Sequence, residues 1–158
     1  MQGHPQVIDL LNAVLRKELT GINQYFVHAK MCENWGYGVL AKANRDEAMD
    51  EMKHADQVID RVLFLDGTPN MSGYDRIMIG GNVKQQLEND LALETAALEV
   101  LNRGVKLCIE LGDTGSRELI EHIIVDEEHH VDWIEAQLHK INELGYERYL
   151  AEQIHERS

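Results

Sequence analysis

Carboxylate and imidazole side chains recur in this chain as two matched sets at one fixed separation. Glu18, Glu51 and His54 in the first half correspond to Glu94, Glu127 and His130 in the second, each pair 76 residues apart. The segments that carry the histidines, Asp50-Glu51-Met52-Lys53-His54 and Asp126-Glu127-Glu128-His129-His130, each follow their lone glutamate at the same distance. A two-metal site assembled from two helical hairpins requires such a duplicated set.

The rest of the chain supports a helical frame. Only two prolines occur, Pro5 and Pro69, and apolar residues recur at helical spacing almost everywhere else. The periodicity predicts a first helix over 5–34, with Ile8, Leu11, Leu15, Ile22 and Tyr25 on one face, and a second over 39–66 that stops at Gly67-Thr68-Pro69. A third is expected over 83–111 and a fourth over 116–144, separated by Gly112-Asp113-Thr114-Gly115. A short tail helix over 147–155 follows Gly145. The glycine-rich segment 67–82 is the longest connection. Extended, it reaches about 53 Å, more than the roughly 42 Å of a 28-residue helix. It can therefore cross the whole bundle and leave helices two and three parallel. The expected architecture is an all-α four-helix bundle of two hairpins joined by a long crossover, one domain over 1–158.

Residues three apart on a helix share a face, so Glu51 with His54, and Glu127 with His130, can each hold one metal ion. Glu18 and Glu94 are then expected to supply the bridges. Both lie inside apolar stripes: Glu18 between Leu15 and Ile22, Glu94 between Leu91 and Leu98. A charge in such a stripe costs several kcal/mol, of order, if left unpaired. Metal coordination offsets that cost. Carboxylate and imidazole donors without thiolate favour iron or manganese over a closed structural zinc, and iron is the choice made here. Tyr25, two turns after Glu18, is placed to hydrogen-bond a ligand carboxylate or to donate an electron. Asp90, Asp50 and Asp126 read as ordinary solvated carboxylates with a possible supporting or iron-path role. His4, His28, His122, His129, His139 and His155 read as ordinary polar residues.

These features, together with the opening Met-Gln-Gly-His-Pro-Gln-Val-Ile-Asp, Asn23-Gln24-Tyr25-Phe26, Leu65-Asp66-Gly67-Thr68-Pro69 and Gly145-Tyr146-Glu147-Arg148-Tyr149-Leu150, resemble the bacterioferritins over essentially the whole chain. The resemblance implies a ferritin-like fold in a hollow cage of 24 subunits built from dimers. It also implies a di-iron centre that oxidises Fe(II) with oxygen or hydrogen peroxide, and storage of the ferric mineral inside. Its six ligands correspond to Glu18, Glu51, His54, Glu94, Glu127 and His130. The family binds haem b between two subunits through one methionine from each, here Met52, and the stored iron is reduced by an associated ferredoxin. Met52 has some footing of its own, because it follows Glu51 by about 100° around the helix and so points away from the metal side. With Leu19, Ile22, Phe26 and Met49 it forms a second apolar stripe, expected to meet a neighbour or a haem. The chain departs from some relatives at Asp46, where they place an iron-binding histidine on the inner surface.

Charge and cysteine usage narrow the alternatives. A net charge of -13 argues against nucleic acid or an anionic membrane as the main partner and favours cations. No apolar run suggests a membrane span, and a cytoplasmic protein is expected. Cys32 and Cys108 stand alone, and without a Cys-x-x-Cys pair a rubrerythrin-like peroxidase lacks its electron-transfer module. A di-iron oxygenase and a non-catalytic metal-binding bundle are the remaining competitors.

Overall fold

Helix α1 (Pro5–Trp35) starts where the sequence supplies both a side-chain acceptor and a preset φ. His4 Nδ1 accepts from the Gln6 N–H at 3.1 Å, and Pro5 occupies the first turn. The helix ends on Gly36, whose left-handed φ of 86° lets its N–H reach back to the last carbonyls. In this computed structural model, which describes residues 1–155, three more long helices follow: α2 (Gly38–Phe64), α3 (Val83–Leu111) and α4 (Thr114–Leu144). A short α5 (Tyr146–Ala151) closes the described chain and is four residues shorter at its end than expected. The last three residues of the expected domain, 156–158, lie outside the described ones. The long helices match the expected bounds to within two residues. Among the described residues no helix is long and apolar enough to cross a membrane.

Side-chain packing fixes the order of the rods. Val7 and Leu11 of α1 share one apolar cluster with Val58 and Val62 of α2, Leu101 and Cys108 of α3, and Ile120 of α4. At the other end Cys32, Leu40, Val83, Leu87, Ile134 and Tyr149 form a second cluster. Start of α1 therefore meets end of α3, so α3 is antiparallel to α1 and parallel to α2, and the crossover travels the length of the bundle. Between the two clusters the core is polar: Glu18, Gln24, Glu51, His54, Glu94 and Glu127 are all buried there.

A polar ladder on α1 holds the crossover down. Thr20 Oγ1, Gln24 Oε1 and His28 Nε2, spaced one turn apart, accept from the backbone N–H groups of Asp75, Met78 and Gly80 at 2.9, 3.1 and 3.1 Å. Arg16 and Lys17 each reach the Asp75 carboxylate at 2.7 Å. His28, read as an ordinary polar residue, is thus fully buried, with Nδ1 facing Asp90 at 2.9 Å. Asp90 is buried as well and accepts from Gln24 Nε2 at 2.8 Å, so it is not the solvated carboxylate expected. The crossover's backbone needs partners, and α1 provides them where a solvated helix would not.

The turn between α3 and α4 is tied to α2. Asp113 caps α4 by accepting from the Ser116 N–H at 3.0 Å, and Arg61 bonds both the Asp113 carboxylate and the Ser116 hydroxyl. Burial would raise the Asp113 carboxyl, but the Ser116 groups and the Arg61 guanidinium outweigh it and hold it below the usual aspartate range. Asp113→Ala should therefore destabilise the chain by about 1 kcal/mol in denaturant melts at neutral pH. A carboxyl with a depressed folded-state value contributes above its unfolded value and loses that contribution as pH falls through the folded one. The difference between native and variant should accordingly shrink in strong acid.

Candidate metal centre

All seven residues expected at the centre converge in the polar middle of the bundle. Glu18 and Tyr25 come from α1, Glu51 and His54 from α2, Glu94 from α3, Glu127 and His130 from α4. Each is at least nine-tenths buried. On α1 the residue facing this group is Gly21, where a Cβ would lie 2.9 Å from Glu51 Oε2. The missing side chain gives that carboxylate its room.

The donor atoms fall into three groups, the third sharing members with each of the other two. In the first, atoms of Glu18, Glu51, His54 and Glu127 lie within 4.8 Å of one another. His54 Nδ1 is 3.1 Å from Glu127 Oε1 and 3.5 Å from Glu18 Oε2, while its Nε2 is tied to Asp126 at 2.8 Å. That outer bond orients the ring, as a metal-bound histidine requires, and gives Asp126 a supporting place. In the second group His130 Nδ1 sits 3.3 Å from both Glu94 Oε1 and Glu47 Oε1. Glu51 and Glu127 also gather with Glu47 and Glu94. Glu51 and Glu127 thus gather with Glu18 and His54 and also with Glu47 and Glu94, whereas Glu18 occurs in the first group alone and Glu94 only beside Glu47. The sequence expects Glu18 and Glu94 to bridge, while this grouping makes Glu51 and Glu127 the members common to the two sides.

The buried atoms lack partners in a way that points to cations. Glu18 Oε2, Glu51 Oε1, Glu94 Oε2, both oxygens of Glu127, His54 Nδ1 and His130 Nδ1 have no hydrogen-bond partner, although the two imidazole nitrogens stand at ion-pair distance from carboxylates. Orphaned acceptors at this density are rare in folded proteins. Burial pushes the Glu18 and Glu51 carboxyls up, and for Glu51 the neighbouring Glu18 and Glu127 add to it. Burial would lower His54, but Glu127, Glu18 and Asp126 outweigh it and push the imidazole up to about 11. Five carboxylates, Glu18, Glu47, Glu51, Glu94 and Glu127, meet two imidazoles here, a donor set whose charge divalent cations would offset.

Tyr25 donates its hydroxyl to Glu94 Oε1 in a short hydrogen bond, and its ring meets His130 edge-on at 5.0 Å. Burial, then Asp90 and Glu51, push its phenol well above the ordinary value, so it remains a donor. Trp133 stacks on the far side of His130 at 6.0 Å. An open cavity of about 520 Å³ between α2 and α4 leads from the surface to His54 and His130. Asp46, Asp50, His122 and His129 line it, so the last two have a location beyond the ordinary surface.

Sequence reasoning missed Glu47 and Trp133. Glu47 lies one turn before Glu51, on the same face, and that spacing was the available signal. A search for matched pairs passes over it.

Met52 stands apart from the centre, as its helical phase requires. It is half-exposed, as are Phe26 and Met49. Leu19, expected on the same outer stripe, is 7% exposed and packs in the core, and Ile22 is partly buried against it.

Two hairpins joined by a full-length crossover, with glutamates and histidines gathered at mid-core, define a ferritin-like carboxylate bundle. The Ferritin family model, a ferritin-like domain, matches residues 8–144. The chain is 47% identical over 152 residues to a bacterioferritin of Mycobacterium bovis and to bacterioferritin BfrA of Mycobacterium tuberculosis, with 96% of each chain covered. It is 45% identical over 145 residues to a bacterioferritin of Rhodobacter capsulatus, covering 92% of this chain and 90% of the relative. The chain belongs to the bacterioferritin family.

Proposed function

We propose that the protein stores iron and oxidises it on the way in: Fe(II) is the substrate, the six residues Glu18, Glu51, His54, Glu94, Glu127 and His130 hold two ions, and the ferric product is kept inside a homo-oligomeric cage. The observation that carries this reading is the set of orphaned buried donors gathered in three groups linked by Glu51, Glu127, Glu47 and Glu94. A surface or purely structural role gives no reason to bury five acidic oxygens without partners. Hard carboxylate oxygens favour Fe(III) over Fe(II), which makes oxidation downhill at this site. Two ions held by shared carboxylates can deliver two electrons to oxygen or hydrogen peroxide together. Tyr25, hydrogen-bonded to Glu94, orients that carboxylate and is a nearby one-electron donor.

Glu18→Ala and Glu94→Ala test the assignment, since each removes a carboxylate from one side of the centre. Both should lose the fast oxidation of the first two irons per chain, followed by absorbance of the ferric product. Native rates in both variants would contradict the reading. Tyr25→Phe should leave two ions bound per chain but slow their oxidation several-fold, by about 1 kcal/mol in barrier for one lost hydrogen bond. Unchanged kinetics would remove Tyr25 from the mechanism.

Haem b fits the outer face of the α1–α2 hairpin. Met52 presents a thioether, a known haem ligand, beside the exposed apolar side chains Phe26 and Met49. One chain offers one such ligand, and a two-fold copy offers the second, matching a shared haem at a dimer contact. Met52 of each chain would then be the residue that holds the haem iron. The haem, when bound, supplies a path for electrons between the mineral and an outside reductant such as an associated ferredoxin. The cage of 24 subunits, the haem and a cytoplasmic location all belong to this proposal, supported by the bacterioferritin relatives.

A further inference from the structure

The cavity between α2 and α4 is built almost symmetrically. Ten of the residues that line it pair off at the 76-residue offset of the repeat, among them Asp50 with Asp126 and His54 with His130. Only Ala43 and Glu47 break the pairing. Their counterparts are Leu119 and Ile123, and Ile123 is fully buried in the apolar cluster at one end of the bundle. The two metal positions therefore differ in one acidic side chain.

That side chain is aimed at the second position. Glu47 Oε1 stands as close to His130 Nδ1 as Glu94 Oε1 does, 3.3 Å in each case, and the nitrogen between them has no hydrogen-bond partner. Oxygens of Glu47 also lie within 4.8 Å of donor atoms of Glu51, Glu94 and Glu127. Its side chain is 13% exposed, and that exposure opens into the cavity. Nothing comparable exists at the first position, where Ile123 replaces the carboxylate and Asp126 fastens His54 at 2.8 Å. Asp50, the counterpart of Asp126, faces Lys53 at 3.9 Å instead.

We propose that Glu47 is a carboxylate ligand of the second metal position, and that it makes the Glu94 and His130 side the one that exchanges ions with the cavity. The inference rests on the two-ion reading above. A carboxylate with one oxygen toward the ion and its stem at the cavity wall can hold an ion while it enters or leaves. The first position has no such carboxylate, its counterpart being the buried Ile123, and keeps its ion longer.

Cobalt(II) titration of the apoprotein, followed by calorimetry and visible absorption, tests this without any oxidation step. The native chain should take up two ions. Glu47→Gln, nearly the same size, should keep one ion at native affinity and weaken the other at least tenfold. Glu47→Asp, which retains the charge but withdraws the oxygens by one methylene, should weaken the same ion, and this pair separates ligation from folding defects. Asp60→Asn removes an equal charge from the exposed surface of the same helix, outside the cavity lining, and should change neither ion by more than about threefold, since an exposed surface charge is screened. Two native-affinity ions in Glu47→Gln, or equal weakening in Asp60→Asn, would overturn the role of Glu47. If Glu94→Ala still lost one ion in that case, the two-ion reading would stand and Glu47 alone would be wrong. A native chain that binds no pair of ions would overturn both.

Discussion

Glu127→Ala should abolish fast iron oxidation altogether, with a loss of at least about 100-fold in the rate of the first turnover. Glu127 gathers with Glu18 and His54 and also with Glu47 and Glu94, and both of its oxygens are buried without hydrogen-bond partners. Its removal takes a ligand from both ions at once. Changes to residues that merely support a metal ligand already cost 10 to 100-fold, of order, in affinity or activity, and a shared ligand must cost more. Glu18→Ala and Glu94→Ala, by contrast, should each leave one ion bound, because Glu18 gathers only with the His54 side and Glu94 only with the Glu47 and His130 side. The fold should survive, since the lost carboxylate leaves fewer like charges in the core. Helical content and assembly measured beside the kinetics separate a catalytic loss from an unfolded chain. If Glu127→Ala kept one ion at native affinity while Glu18→Ala lost both, the order of sharing drawn from the geometry would be wrong.

Met52→Leu should remove haem from the assembled protein while leaving iron oxidation at the centre intact. Leucine keeps the volume and apolar character of the outer face, a swap that costs less than about 1.5 kcal/mol even in a packed setting, but it has no sulfur to offer. The Soret band of protein prepared with haem should disappear, with the oligomer unchanged by light scattering. Because Met52 is half-exposed on the face turned away from Glu51, the fast oxidation of two irons per chain should proceed at the native rate. Undiminished haem content would show that another residue holds it.

The helical frame was open to reading because its signals are local. Pro5, Gly36, Gly112 and Gly145 punctuate the chain, and each acts where it stands, three of the glycines with positive φ. The six donors were legible for a different reason: duplication made each carboxylate and imidazole confirm its partner. What stayed hidden were contacts between distant segments. The burial of His28 against Asp90 depends on where the crossover lies, which no periodicity encodes. Glu47 has a one-turn spacing to Glu51 as its only signal, and because its counterpart Ile123 is apolar the duplication does not mark it. That Glu51 and Glu127 are the members common to the two sides is likewise set by how the four helices pack, which spacing along one helix does not encode. Leu19 went into the core, not onto the outer stripe, because α1 packs against more than one neighbour.

Stopped-flow absorbance of ferric product, recorded as the ratio of Fe(II) to chain is raised on the apoprotein in air, tests the central claim most directly. A fast phase whose amplitude grows linearly and stops at two irons per chain is the predicted result. A fast phase that saturates at a different ratio, or slow oxidation at all ratios with no break, would contradict it.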